Sequence, residues 1–290
     1  MTKGSMVSEG LRNIWSIKGH EYHFKKPMLM GILNVTPDSF SDGGLFQDIE
    51  MAVEHAREMI DQGADIIDVG GESTRPGSTP VSVDEEISRI LPIIERLSEQ
   101  TTAIISIDTQ KAQVAKVAIE AGATVINDVS AGGHDSGMFK LVAATRVGYI
   151  MMHMQGNPET MQVAPSYKNI LDDLRLFFSQ KLRTAIAAGI DHSQIVLDPG
   201  IGFGKTLDNN LDILANMGAL RSLGRPLLHG ASRKSFIGMI DASEPTNRLG
   251  GSLAAVLAAY LQNIELFRIH DVSETKQLID IFSAIQMHSV

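Results

Sequence analysis

The chain of 290 residues contains no cysteine. That excludes disulfides, thiolate metal sites and cysteine nucleophiles together, and a cytoplasmic location is the default expectation. Long apolar runs are also missing. The longest, Leu253 to Leu261, falls well short of the ~20 residues that a bilayer crossing needs. The first twenty residues carry Lys3, Glu9, Arg12 and Lys18 instead of an apolar leader core. An excess of positive charge is absent as well: 25 Lys and Arg stand against 34 Asp and Glu, a net charge of −9. Nothing then draws the whole molecule to nucleic acid or an anionic membrane, and an anionic ligand must find local Arg, Lys or backbone N–H groups. No internal repeat, low-complexity tract or Pro/Ser-rich linker divides the chain.

What is present is a rhythm. Eight short runs, near-continuous in apolar residues, read as strands covered on both faces. They are Met28 to Val35, Asp65 to Gly70, Ala103 to Asp108, Thr124 to Val129, Gly148 to Met154, Gln194 to Pro199, Pro226 to Ala231 and Glu265 to Asp271. Between them the apolar period lengthens to that of a helix. Ile49, Val53, Ala56, Met59 and Ile60 form one stripe; Val114, Val117, Ala118 and Ala121 form another. Ser82 and Glu85 have capping-box spacing, Pro92 predicts a kink or break in the helix that follows, and Ser273 is the expected cap of the last helix. Strand–helix repeated eight times predicts a single-domain α/β fold, the (β/α)8 TIM barrel. It would span residues 27–290, with residues 1–26 as an extension packed on it. A doubly wound sheet is the alternative, but the first strand runs into Asn34-Val35-Thr36-Pro37-Asp38 in place of a glycine-rich phosphate turn.

In such a barrel the chemistry sits at the C-terminal strand ends. Polar residues collect there: Asn34; Glu72, Thr74 and Arg75; Asp108; Asn127 and Asp128; His153; Asp198; Ser232, Arg233 and Lys234; Arg268, His270 and Asp271. The set points to a polar ligand. The run from Gly200 to Thr206 imitates a phosphate loop, but Pro199 stands where its first glycine is required. Its glycines then shape a flexible barrel loop, Phe203 offers a flat apolar contact, and Lys205 falls on the surface. His153 reads as a satisfied pocket-wall side chain ahead of a metal ligand. Gly250-Gly251, inside a helical pattern, predicts close helix packing. Lys234 could form a Schiff base or act as a cationic hydrogen-bond donor; Ser232 and Arg233 beside it favour the second.

Seven segments, in order, resemble the signatures of the bacterial dihydropteroate synthases, a family of pterin-binding enzymes. They are Gly31 to Gly44 (GILNVTPDSFSDGG), Asp68 to Gly77 (DVGGESTRPG), Ser106 to Thr109, Ile126 to Val129, Leu197 to Thr206, Ser232 to Ser235, and Arg268 to Val272. The resemblance extends from about Pro27 to Val272, with minor differences such as Ser78 and Phe236. It implies an enzyme of folate biosynthesis, the target of sulfonamides. Such an enzyme joins 4-aminobenzoate to 6-hydroxymethyl-7,8-dihydropterin diphosphate by an SN1-like displacement of diphosphate.

By resemblance, Asp108, Asn127, Asp198 and Lys234 hold the pterin edge and Arg268 stacks on its ring; these five are the candidate catalytic set. Asn34, Thr74, Arg75, Arg268 and His270 would bind diphosphate, with Asn34 on Mg2+. Thr74, Pro76, Phe203, Ser232 and Lys234 would receive aminobenzoate. Phe40 and Asp42 would belong to a lid. A homodimer formed through the late helices is implied too. A related pterin-dependent methyltransferase, a non-catalytic pterin-binding homologue and, more distantly, a lysine-dependent aldolase remain alternatives.

Overall fold

The computed structural model describes residues 14–35, 45–74, 77–158 and 160–288. It opens with an antiparallel hairpin, β1 (Ile14–Ile17) and β2 (His20–His23). Eight strands follow, all parallel: β3 (Met28–Asn34), β4 (Ile66–Gly70), β5 (Ile104–Asp108), β6 (Val125–Asp128), β7 (Gly148–Met152), β8 (Ile195–Asp198), β9 (Leu228–His229) and β10 (Leu266–Ile269). Each predicted run holds one of them. The order across the sheet is β8-β7-β6-β5-β4-β3-β10-β9, and a parallel bridge from Leu197 to Leu227 joins the two edges into a closed barrel.

The helices are α1 (Leu45–Asp61), α2 (Val83–Gln100), α3 (Ala112–Glu120), α4 (Met138–Thr145), α5 (Ile170–Ala187), α6 (Leu207–Asn216), α7 (Ser235–Asp241), α8 (Leu249–Tyr260) and α9 (Val272–Met287). Ser82 caps α2 by accepting the Glu85 N–H at 3.2 Å. Two local expectations are corrected. Pro92 does not break α2, which continues through it; the carbonyl that the missing N–H leaves free belongs to Ser88, which is exposed and can bind water. Helix α9 begins at Val272, so Ser273 lies inside it, and Asp271 occupies the cap position. Of the glycine pair, Gly251 does permit close packing, since a Cβ there would lie 2.4 Å from Ile237; Gly250 faces open space.

Strand periodicity divides the core in two. In β4, Ile67 and Val69 pack outward against the helices, while Ile66 joins an inner floor with Met30, Ile104, Val125, Ile150, Val196, Leu228 and Leu266. Trp15 and Ile17 of the hairpin complete that floor. Trp15 is fully buried, donates Nε1–H to Gln194 O at 2.8 Å, and lies where a side chain at residue 148 would be, so Gly148 is required. The hairpin thus plugs the N-terminal end of the barrel. Two residues further along, about 6.6 Å higher, the inward positions of five of these eight strands turn polar: Asp68, Ser106, Asn127, Asp198 and Arg268.

Candidate active site

The polar layer opens into a cleft at the C-terminal mouth. Thr74, Asp108, Asn127, Val129, Met152, Asp198, Phe203, Gly230, Lys234 and Arg268 line it. Seven sequence-predicted residues, Thr74, Asp108, Asn127, Asp198, Phe203, Lys234 and Arg268, therefore converge from separate strand ends. A larger cavity, about 490 Å³, lies by the N-terminal ends of β3 and β10, lined by Lys25, Lys26, Asp65, Glu265 and Lys276 among others. None of the described strand-end polar residues lines it, so chemistry selects the mouth over the larger space.

Arg268 is the hub of the cleft. Its Nε donates to Asp68 Oδ2 at 2.6 Å and its Nη2 to Asp108 Oδ2 at 2.8 Å. Asn127 Nδ2 donates to the same Asp68 oxygen at 3.0 Å. Asp198 accepts the Gly200 N–H at 2.8 Å. Lys234 donates to Ile201 O, and its Nζ stands 4.4 Å from the centre of the Phe203 ring. Three carboxylates thus face two cations. Burial pushes the Asp108 carboxyl up to about 7, against the pull of Arg268. Burial raises Asp198 as well, opposed by Lys234 and the Gly200 N–H. Loss of water brings the Lys234 ammonium down to about 8, with Asp198 acting against the shift. Asp68 Oδ1, Asp108 Oδ1 and Ser106 Oγ are buried without a hydrogen-bond partner. Each costs about 1–3 kcal/mol if left so, and a ligand edge carrying N–H groups would satisfy them.

Other expected residues stand nearby without lining the cleft. Asn34 ends β3 beside Asp108: a Cβ at Gly70 would lie 3.7 Å from Asn34 Oδ1 and 3.5 Å from Asp108 Cβ. Ser232 and His270 are tied together, His270 Nδ1 to Ser232 Oγ at 3.0 Å. Phe40, Asp42, Arg75 and Pro76 lie outside the described residues. Arg233 is committed to Asp271, with Nε 3.1 Å from Oδ2. His153 is buried against Lys205, and burial and that cation lower it to about 3.

Sequence reasoning missed Asp68. It is fully buried, and the available signal was a carboxylate at an inward position of an otherwise apolar strand. Lys205 is corrected from the surface to the interior: it is 3% exposed. Its neighbours Gly200, Gly202 and Gly204 all have positive φ. A Cβ on Gly200 would meet His153 O at 2.0 Å, and one on Gly204 would meet Gln155 O at 2.5 Å. These glycines press the loop onto the chain leaving β7.

Comparison with known proteins agrees with this geometry. The sequence profile of the family described as pterin binding enzyme matches residues 30–270. The dihydropteroate synthase of Escherichia coli K12 is 43% identical over 92% of this chain and 94% of its own length. That of Bacillus subtilis is 42% identical over 90% and 89%. Among solved structures, the Yersinia pestis dihydropteroate synthase with a sulfonamide drug complex superposes with a TM-score of 0.89 at 40% identity, covering 94% of this chain and 99% of that one. The Xanthomonas albilineans enzyme with 4-aminobenzoic acid gives 0.87 at 42% identity, over 93% and 98%. The same enzyme in complex with 7,8-dihydropteroate gives 0.82 at 36%, also over 93% and 98%. The chain belongs to the pterin binding enzyme family, among its dihydropteroate synthases.

Proposed function

We propose that this enzyme condenses 6-hydroxymethyl-7,8-dihydropterin diphosphate with 4-aminobenzoate, giving 7,8-dihydropteroate and diphosphate, and that the convergent cleft residues carry the reaction. The observation that supports it most is the joining of Asp108, Asn127, Asp198, Lys234 and Arg268 around buried carboxylate oxygens that lack donors. A dihydropterin offers such donors along its guanidine-like edge. Asp108, Asn127 and Asp198 take that edge, Lys234 leaves Ile201 O for the pterin carbonyl, and Arg268, fixed by Asp68 and Asp108, lies against the ring. Held in this way, the ring can delocalise the positive charge that grows at the methylene carbon. The carbon–oxygen bond to diphosphate breaks, the neutral arylamine nitrogen attacks, and its proton leaves to solvent. An arylamine needs no strong base, which suits a cleft with no His–carboxylate pair among its described residues. Ser232, Phe203 and the Lys234 stem, together with Thr74 and Pro76, form the aminobenzoate slot. Thr74, Arg75, His270 and Arg268 hold the diphosphate, and Phe40 and Asp42 help to exclude water.

The donor chemistry around Asn34 fits Mg2+: one amide oxygen beside the cleft, with the remaining positions left to diphosphate and water, which is this ion's habit. Bound there, the ion would neutralise charge on the departing diphosphate. We further propose a cytoplasmic homodimer, with residues 1–26 an extension of the barrel. Among the described residues, no helix is long and apolar enough to cross a membrane.

The test is product formation from the two substrates, with and without Mg2+, repeated for Asp198→Ala and Lys234→Ala. Mg2+-dependent release of dihydropteroate and diphosphate is expected. Each variant should lose about a hundredfold or more in kcat/KM, the scale of one removed transition-state contact. Tight pterin binding without turnover would favour the inert homologue or the methyltransferase. A borohydride-trapped adduct on Lys234 would favour the aldolase.

A further inference from the structure

Lys205 has no role in the chemistry above, yet it is buried as deeply as the cleft carboxylates. A lysine is rarely placed in the interior without a full set of acceptors. Here its Nζ meets three: Phe203 O at 2.9 Å, His153 Nδ1 at 3.0 Å and His153 O at 3.3 Å. The three belong to two chain segments, the loop after β8 and the end of β7. Phe203, whose carbonyl is held, supplies the ring over which Lys234 stands.

The same loop is fastened along its whole length. Gly200 O accepts from Phe203 N, Ile201 O from Lys234, Gly202 O from Gln162 Nε2 at 2.6 Å, Phe203 O from Lys205, and Gly204 O from the Tyr167 hydroxyl at 2.6 Å. Five successive carbonyls thus have five different donors. Lys205 is the buried one that also reaches the neighbouring strand. The His153 ring is wedged edge-on against Phe177, with centroids 4.7 Å apart, so it cannot follow a loop that shifts.

We propose that Lys205 is a positioning residue: its buried Nζ pins the Phe203 wall to the end of β7 and so sets the width of the slot for 4-aminobenzoate. The proposal rests on the condensation reaction assigned above. It predicts an effect on the second substrate more than on the pterin. Among the cations that pull on Asp198, Lys205 comes after Lys234 and Arg268, so the pterin edge keeps its main partners when Lys205 is removed.

The experiment is steady-state kinetics of Lys205→Met and Lys205→Gln, each in the wild-type and the Phe203→Ala background, with calorimetric binding of the dihydropterin diphosphate. Lys205→Met is expected to raise KM for 4-aminobenzoate roughly tenfold while kcat and pterin affinity stay within about threefold, the pattern of lost binding for one substrate only. Lys205→Gln keeps two N–H donors and should fall between. If Lys205→Met fails to fold, Lys205→Gln carries the same comparison. In the Phe203→Ala background the lysine substitution should add less than about twofold, because residues acting through one contact are not additive. Equal loss for both substrates, unchanged KM, or full additivity with Phe203→Ala would each overturn the role. Absence of dihydropteroate formation by the wild-type enzyme would instead overturn the reaction assignment itself.

Discussion

Asp108 shows how one residue trades stability for ligand binding. It is 7% exposed, with one oxygen on Arg268 and the other without a partner. Its carboxyl titrates near 7 in the folded chain against an ordinary 3.8, because burial opposes its charge. Between those values the folded state holds the extra proton, so stability falls as pH rises through this window and levels off above it. Asp108→Asn keeps an acceptor for Arg268 and removes the titration. Relative to wild type, the variant should gain on the order of 4 kcal/mol between pH 4 and pH 8, while losing activity. Urea denaturation at both pH values reads this, and parallel pH slopes for the two proteins would contradict it. The acidic and amide strand ends were legible as single residues, since polar groups closing apolar runs stand out. Their partners were not. Asp68 meets Arg268 across 200 positions of chain. The acceptors that bury Lys205 come partly from His153, 52 residues away, so its local sequence gave no sign of them.

At the scale of elements, a sequence reports best what has a period. The eight barrel strands announce themselves because they are buried on both faces, α1 and α3 are marked by their apolar stripes, and α2 by its cap. The hairpin at the start of the chain escaped notice. Its strands are four residues each, and His20–His23 is mostly exposed. The function of that hairpin rests on one side chain. Trp15 fills the barrel floor, where eight strands bring Met30, Ile66, Ile150 and their neighbours together. Among the described residues no helix covers this end of the barrel interior, so the indole does what a core residue elsewhere does. Trp15→Ala should cost about 3–5 kcal/mol, the range for truncating a large buried aromatic. The loss should appear as a lower urea midpoint with an unchanged KM for either substrate at permissive temperature, since the active site lies at the opposite end. A shift under about 1 kcal/mol, the size of a surface substitution, would mean that the hairpin is an ornament on a self-sufficient barrel.

For the molecule as a whole, counting strands and helices was enough to foresee closure, and closure explains the site. Only a barrel sets β10 beside β3 and places Arg268 between carboxylates of β4 and β5. A single chain's sequence says least about what lies outside it. The late helices leave large apolar side chains in water: Leu261 after α8, and Ile281, Ile285 and Met287 on α9, from 55% to 80% exposed. Tyr260 and Phe282 pack edge to face at 5.9 Å and join the end of α8 to the same stretch of α9, so these side chains share one region. Clustered exposed apolar groups mark an interface more often than chance, and a two-fold pairing of this surface with itself would cover both copies at once. The candidate site residues come from strand ends at the other end of the barrel, so such a pairing would leave each copy's cleft independent of the contact. Ile281→Glu combined with Ile285→Glu should therefore convert a dimer to a monomer in light scattering after gel filtration. At enzyme concentrations where the fold persists, kcat should remain within about twofold, as no transition-state contact is touched. A wild-type chain that is monomeric at micromolar concentration, or a double variant that stays dimeric, would rule out this face.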